Sequence, residues 1–331
     1  MHTYSYGNHD YPDMKDTIPS IITFSRRTDP AFFMEWFMDK ITRGGCYVPN
    51  PFSGKPYFIS LKNEDVLLLN YWTKNPAALL PFTGILRERG FAQAFFISMT
   101  GYPRWMETNT PSPEDTAHAI RTLSSMLGKE SLWWRYDPII ITGRINAVWH
   151  QRNFTSLCEN IWAGNTDRVI ISLAHIDGPY RKIRTTLVTA CREQGDSLNM
   201  PSYSEFITLA LSLRDIADSF GISLEICCSP EIREGDRASL KQGACLSRDY
   251  LERIIPDLPL LKSKGTRKHS SEHGYAPCGC LASRDIGATG TCTHGCVYCY
   301  ANRNSPSVSP ASISAASPWL SPLPLPIPSM I

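Results

Sequence analysis

The sequence predicts an α/β protein: a TIM-barrel-like parallel barrel, complete, incomplete or permuted, with a cysteine-rich segment at its C-terminal end. Three observations predict it. Short apolar runs rich in β-branched and aromatic residues recur along the chain, as buried parallel strands require. Helical stretches with start signals lie between most of them, and a strand followed by a helix, repeated about six times over roughly 240 residues, favours an α/β barrel or an open doubly wound sheet, of which the barrel is preferred here. Five of the eleven cysteines fall between Cys278 and Cys299, after the last of these runs.

In order, the strands are "IITFS" from Ile21, "VLLLNYWT" from Val66, "AFFISMT" from Ala94, "LWWRYDP" from Leu132, "RVIISL" from Arg168 and "ISLEICC" from Ile222. Three helices open on a capping side chain before a proline: Asp29-Pro30, Asn75-Pro76 (to Arg89) and Ser112-Pro113-Glu114 (to Gly128). Further helices are expected from Asn153 to Ala163 and from Ser204 to Phe220. "CYVPNPFSGKPYFISL", with turn signals at Asn50-Pro51 and Ser53-Gly54, reads as an inserted hairpin. Residues 1–17 are expected to be flexible, 18–275 to form the barrel, 276–303 to pack on it as a cysteine-rich segment, and 304–331, rich in Ser and Pro, to be a disordered tail.

With 42% hydrophobic and 19% charged residues, the chain can bury a large core. Its 33 basic and 31 acidic side chains leave a net charge of +2, which generates no field demanding nucleic acid or an anionic membrane. Neither a signal-peptide-like start nor an apolar run of about 18 residues is present, so a cytoplasmic location without membrane partner is expected. In that reducing setting clustered cysteines point to metal ligands or catalytic thiols rather than disulfides.

Cys292, Cys296 and Cys299 form C-x3-C-x2-C, with Tyr298 just before the last thiol and Gly295 relieving the tight turn. Three sulfurs on one loop can hold a [4Fe-4S] cluster and leave one iron open, where the amine and carboxylate of S-adenosylmethionine could bind. Zinc is the rival occupant, with His294 or an upstream cysteine as fourth ligand; a metal-free thiol group is the plain one. Cys278 and Cys280 need partners, and Cys227 or Cys228 with Cys245 are the candidates. They would form a second [4Fe-4S] cluster, a structural zinc site or ordinary buried thiols. Cys46, Cys158 and Cys191 stand alone and read as core residues.

Over "CTHGCVYC" the chain resembles the cluster motif of radical S-adenosylmethionine enzymes. Over "SRRTDPAFF", "NPF", "YWTKNP", "TGYP", "WRYDPI" and "CGCLASRDIG...TCTHGCVYCYAN" it resembles the uncharacterised bacterial family called domain of unknown function 1848. That family is noted for such a cysteine cluster at its C-terminus. The resemblance implies a radical S-adenosylmethionine-like iron–sulfur enzyme in which Tyr298 and Gly295 lie at the cofactor and a 5′-deoxyadenosyl radical acts on an unknown small molecule or macromolecule. It also implies an electron donor such as flavodoxin or ferredoxin. It further supports ligands at Cys245 and at the end of the strand holding Cys227 and Cys228, and leaves open which of that pair binds. The rivals are a non-catalytic electron-transfer protein and a zinc-stabilised barrel binding a phosphorylated metabolite or nucleic acid. In most radical enzymes of this kind the motif follows the first strand; a closed barrel sets first and last strands side by side, so a late loop can still reach the same mouth.

Polar residues at strand ends supply candidate catalytic groups. Arg26, Arg27 and Arg135 could grip a carboxylate or phosphate, Lys74 could add a point charge, and Asp137 could hold a ribose hydroxyl or orient an arginine. Each has a plainer role: Asp29 and Asn75 as helix caps, Arg135 with Asp137 as an ion pair, Arg26 and Arg27 as solvated surface, His150 and His175 as packed or surface residues. "KSKGTRKH" from Lys262 is basic but lacks interleaved aromatics, so it reads as a solvated loop rather than a nucleic-acid contact.

Overall fold

The apolar runs become neighbours in the order in which the chain presents them. The computed structural model describes residues 19–24, 28–49, 56–174, 176, 181–227, 232–256, 258–259, 279–287, 290–299 and 301. Its main sheet contains β1 (Ser20–Phe24), β2 (Val66–Thr73), β3 (Gln93–Ser98), β4 (Leu132–Ile139), β5 (Arg168–Leu173), β6 (Ser223–Cys227), β7 (Lys241–Gly243) and β8 (Arg284–Ile286). All pairings are parallel, and the spatial order is β7-β6-β5-β4-β3-β2-β1-β8. That is the consecutive order of a TIM-barrel-like sheet, with β8 beside β1. Among the described residues no ladder joins β7 to β8; the Leu281 N–H donates to the Leu246 carbonyl at 2.7 Å between the segments flanking them.

Alternate residues serve two cores. Ile22, Phe24, Leu69, Tyr71, Phe95, Ile97, Trp134 and Tyr136 pack outward against helices, where Trp134 stacks on Phe154 and Trp162 at 4.5 and 5.4 Å. Ile21, Leu68, Ala94, Phe96, Trp133 and Ile170 face the other way and share a cluster with Tyr250 and Leu251. Strands apolar on both faces must be covered on both, which is why these runs lack alternation in the sequence.

The helices are α1 (Met34–Thr42), α2 (Leu80–Glu88), α3 (Pro113–Leu127), α4 (Ala147–Leu157, continued by a π turn to Trp162), α5 (Arg181–Glu193), α6 (Tyr203–Ser219) and α7 (Arg248–Ile254). Ser112 caps α3 in a reciprocal capping box with Asp115. Asn75 occupies the corresponding place before Pro76 but makes no side-chain cap bond; its own N–H donates to Thr73 Oγ1 at 2.9 Å, correcting that expectation. The helix expected from Asn153 starts earlier, because Asn146 takes the Trp149 N–H at 3.0 Å and sets the cap there. The inserted hairpin is present as an antiparallel pair, Gly45–Pro49 with Pro56–Ser60.

The chain between β7 and β8 enters the sheet's inner side. Tyr250 of α7 meets Trp133 at 4.2 Å between ring centroids, and Arg253 pairs with Asp167, which precedes β5. α7 therefore plugs the amino end of the barrel-like sheet and leaves the carboxyl ends of the strands to the loops. The strand Arg284–Ile286 lies within the cysteine-rich segment, so that segment contributes to the sheet as well as packing on it. Among the described residues no helix is long and apolar enough to cross a membrane.

Candidate metal centre

β8 delivers the chain directly to its three closely spaced cysteines. Gly287 follows at φ +96°, where an added Cβ would lie 2.4 Å from Thr28 Oγ1, so β8 can leave the sheet beside the β1 loop only with glycine here. Gly295 turns the loop at φ +70°, as its place between two cysteines predicts. Cys292, Cys296 and Cys299 are all half-buried, and the Cys299 N–H donates to the Cys296 carbonyl at 3.1 Å, tightening the loop's last turn.

This loop docks on the carboxyl ends of β1, β2 and β3. Cys296 forms an antiparallel bridge with Glu107; the Val297 N–H donates to Met106 O at 3.0 Å and the Asn109 N–H to His294 O at 2.9 Å. Two buried carboxylates anchor it. Asp29 caps the turn Pro30–Phe32 by accepting from Ala31 N at 2.8 Å, as its sequence context predicts. The same carboxylate also accepts from Thr73 Oγ1 at 2.8 Å and from His294 Nε2 at 2.9 Å.

Glu107 accepts from Lys74 Nζ at 2.9 Å, Thr100 Oγ1 at 2.5 Å and the Tyr298 hydroxyl. Burial acts to raise the Glu107 carboxyl, but the Lys74 charge and the hydrogen bonds outweigh it and hold the group below its ordinary value. Burial opposes the Lys74 charge, yet Glu107 and Cys296 raise the ammonium above its usual value. Tyr298 is pushed well up by burial and by Glu107, so its hydroxyl stays a donor.

Burial also pushes the Cys292 thiol well up and the Cys296 thiol up to about 12, with Lys74 partly offsetting the latter. Such thiols bind metal only by releasing their protons, which a thiophilic ion drives. One oxygen, one sulfur and one nitrogen, from Asp29, Cys292 and His294, lie within 4.8 Å of one another. A cleft of about 190 Å³ opens beside the anchor, lined by Lys74, Thr100, Tyr102, Arg104, Glu107 and Ser112 among others. Along the inner face, Thr23 stands in register with Asn70 of β2 and Asp285 of β8. The Thr23 hydroxyl and both side-chain amide atoms of Asn70 are buried without a hydrogen-bond partner. Buried polar atoms are rarely left so, and these two face the side where a ligand or water would enter.

The other candidates separate into two groups. Arg135 does pair with Asp137, and Asp137 accepts from Ser172; the guanidinium also lies 4.2 Å from the Trp72 ring centroid and donates to Cys245 Sγ at 2.9 Å. Cys245 and Cys280 are buried, and Cys227 is half-buried. Arg26, Arg27, Cys228, Cys278, His175, the basic run from Lys262, residues 1–17 and the tail lie outside the described residues. Cys46, Cys158 and Cys191 are core residues, and His150 is packed between Tyr136 and the Ile140 carbonyl. Glu107 went unread in the sequence, since a lone acid in "WMETNT" carries no spacing signal; His294 was read only as a spare zinc ligand.

Fold and loop together define a parallel α/β protein with a thiol-rich loop at the carboxyl ends of its strands. Residues 21–301 match the family described as Domain of unknown function (DUF1848), and the chain belongs to that family. No curated protein matches it. Among solved structures, the catalytic domain of a mannanase from Streptomyces sp. SirexAA-E is similar at 7% identity and a TM-score of 0.28, covering 76% of this chain and 82% of that one.

Proposed function

We propose that the chain is an iron–sulfur enzyme of the radical S-adenosylmethionine type, with Cys292, Cys296 and Cys299 as thiolate ligands of a [4Fe-4S] cluster. The observation that carries this reading is the docking of a three-thiol loop, through Glu107 and Asp29, at the strand ends where α/β barrels place their chemistry. The donor set fits the group: three thiols on one short loop favour a soft metal, and a cubane spreads its thiolates over different irons. When bound, the cluster supplies an electron and an open iron for S-adenosylmethionine, whose reductive cleavage yields the 5′-deoxyadenosyl radical.

The chain's own residues do the rest. Lys74 offsets the charge of Cys296, Glu107 and Tyr298 hold the loop in place, and Asn70 and Thr23 offer unspent hydrogen bonds to a ligand on the inner face. Arg135 and Asp137 stand across that face on β4. An external reductant, flavodoxin-like or ferredoxin-like, would supply electrons, and the substrate is a small molecule or a macromolecule. Anaerobically purified protein is expected to be brown, to hold about four irons on this loop, and to release 5′-deoxyadenosine when given dithionite and S-adenosylmethionine. Colourless protein, or brown protein that releases none, contradicts the reading.

A second reading rests on the convergence of Asp29, Cys292 and His294. Such a mixed oxygen, sulfur and nitrogen set suits one zinc ion. The two part cleanly: His294→Ala abolishes metal binding only for the single ion, and Cys299→Ser only for the cluster.

A further inference from the structure

The cleft beside the loop's anchor opens at the carboxyl ends of β2 and β3, bounded by Lys74, the segment 98–112 and the start of α3. Parallel α/β sheets hold their small-molecule ligands at this end. Its volume of about 190 Å³ lies below the range of about 300–1,000 Å³ of drug-sized sites. A small metabolite fits such a space.

The charges lining the cleft narrow the class of that molecule. Lys74 and Glu107 answer each other at 2.9 Å, and the Thr100 and Thr110 hydroxyls donate to the same carboxylate at 2.5 and 3.3 Å. Glu107 is therefore spent within the protein. Arg104 is not: one arm is tethered to the Thr110 carbonyl, and no carboxylate pairs with it among the described residues. The turn before Glu107, in which the Met106 and Glu107 N–H groups both donate to the Pro103 carbonyl at 2.8 and 3.2 Å, fixes the backbone that carries it. A guanidinium presents five N–H donors in a planar fork, so the remaining arms stay available to paired oxygen acceptors.

The start of α3 adds no anion site of its own, because Ser112 and Asp115 satisfy each other in the capping box and Glu114 is a second acid in the first turn. One positive charge in the lining is thus left uncompensated. That matches a carboxylate better than a phosphate, which carries close to two negative charges. Met99, Tyr102, Pro103 and Pro111 line the cleft as well and give apolar surface for the rest of the molecule.

We propose that this cleft binds a small monocarboxylate, its carboxylate paired with Arg104 and its apolar body against Met99, Tyr102 and Pro111. Lys74 and Glu107 belong both to the cleft and to the contact that holds the Cys292–Cys299 loop, so a molecule seated here lies beside that loop. That the molecule is the substrate rests on the radical-enzyme reading; that it binds does not.

The test titrates sodium butyrate into the full chain, with butyramide and inorganic phosphate as comparisons, and follows the ligand or its displacement by saturation-transfer magnetic resonance. Butyrate should bind saturably, and butyramide, which keeps the shape without the charge, about tenfold or more weakly. Arg104→Gln, an exposed position outside the Lys74–Glu107 contact, should weaken butyrate binding by about tenfold or more, and Arg104→Lys by less, since lysine keeps the charge without the fork. Butyrate should also slow the modification of Arg104 by phenylglyoxal. Absence of saturable butyrate binding, equal binding of butyramide, preference for phosphate, or an Arg104→Gln variant that binds as the native chain does would overturn the proposal. Repeating the titration with Cys292, Cys296 and Cys299 changed to Ser separates the two claims. Butyrate bound there, with no 5′-deoxyadenosine released by the native chain, removes the radical reading and upholds the cleft; 5′-deoxyadenosine released by a native chain that binds no butyrate does the reverse.

Discussion

Two thiol groups occupy the same sheet and differ in how they are made. Cys292, Cys296 and Cys299 lie within eight residues, half-buried, on a loop held from outside by Glu107 and Asp29. Cys227, Cys245 and Cys280 come from three separate stretches: Cys227 Sγ contacts Cys245 Sγ, Arg135 donates to Cys245, and Cys280 accepts the Leu246 N–H. The first group is written locally and needs the fold only to aim it; the second exists only because β6, β7 and β8 are neighbours. Thiols grouped by short spacing keep their neighbours whatever the fold does, whereas thiols of dispersed origin meet only while the sheet holds its order.

That contrast can be broken. Glu107→Ala has the largest expected effect, because it leaves the Lys74 ammonium buried beside the loop without its partner, at a cost of about 3–5 kcal/mol. Thiol labelling should find the half-buried Cys299 and Cys227 reacting before the buried Cys245 and Cys280; equal rates at all four would show that the fold does not shelter the latter pair. Acidification probes the common scaffold instead. Burial pushes His150 down to about 4, so between pH 6.5 and about 4 the unfolded chain binds a proton that the folded chain refuses. Stability should fall by up to about 3 kcal/mol as pH drops through that window, and both thiol groups should loosen together. His150→Gln should flatten this dependence in denaturant titrations.

Smaller changes sharpen the picture. Gly287→Ala forces a side chain into positive φ against Thr28, and a loss of about 1–3 kcal/mol is expected. Because the strain falls between β8 and the loop, labelling should report it at the outer thiols first. Ser112→Ala removes a working cap and should lower stability by about 1 kcal/mol, while Asn75→Ala, at a position that looks alike in sequence, should change it by less than about 0.5 kcal/mol. Thermal unfolding of the two variants side by side decides this.

The first six strands were legible because each is a continuous run buried on both faces. β7 ("KQG") and β8 ("RDI") were not: three residues without apolar pattern become strands only because β6 and β1 offer them an edge. α7 was equally hidden, since its seven residues take their place from Tyr250 and Leu251 entering the inner core. In the site, the tight cysteine spacing announced itself, as did the capping role of Asp29. The anchors Glu107 and His294 did not, because their meaning lies in partners 191 and 265 residues away in the chain. The ion pair of Arg135 with Asp137 was legible as the plainer alternative to a substrate grip, but the reach of Arg135 to Cys245 depends on where β7 ends.

The most direct test of the loop's proposed chemistry is electron paramagnetic resonance of the anaerobically reduced full chain, recorded before and after adding S-adenosylmethionine. A reduced [4Fe-4S] signal that shifts on addition, and vanishes when Cys296 is changed to Ser, is the predicted result. A silent sample containing only zinc, or a cluster signal indifferent to S-adenosylmethionine, would contradict it.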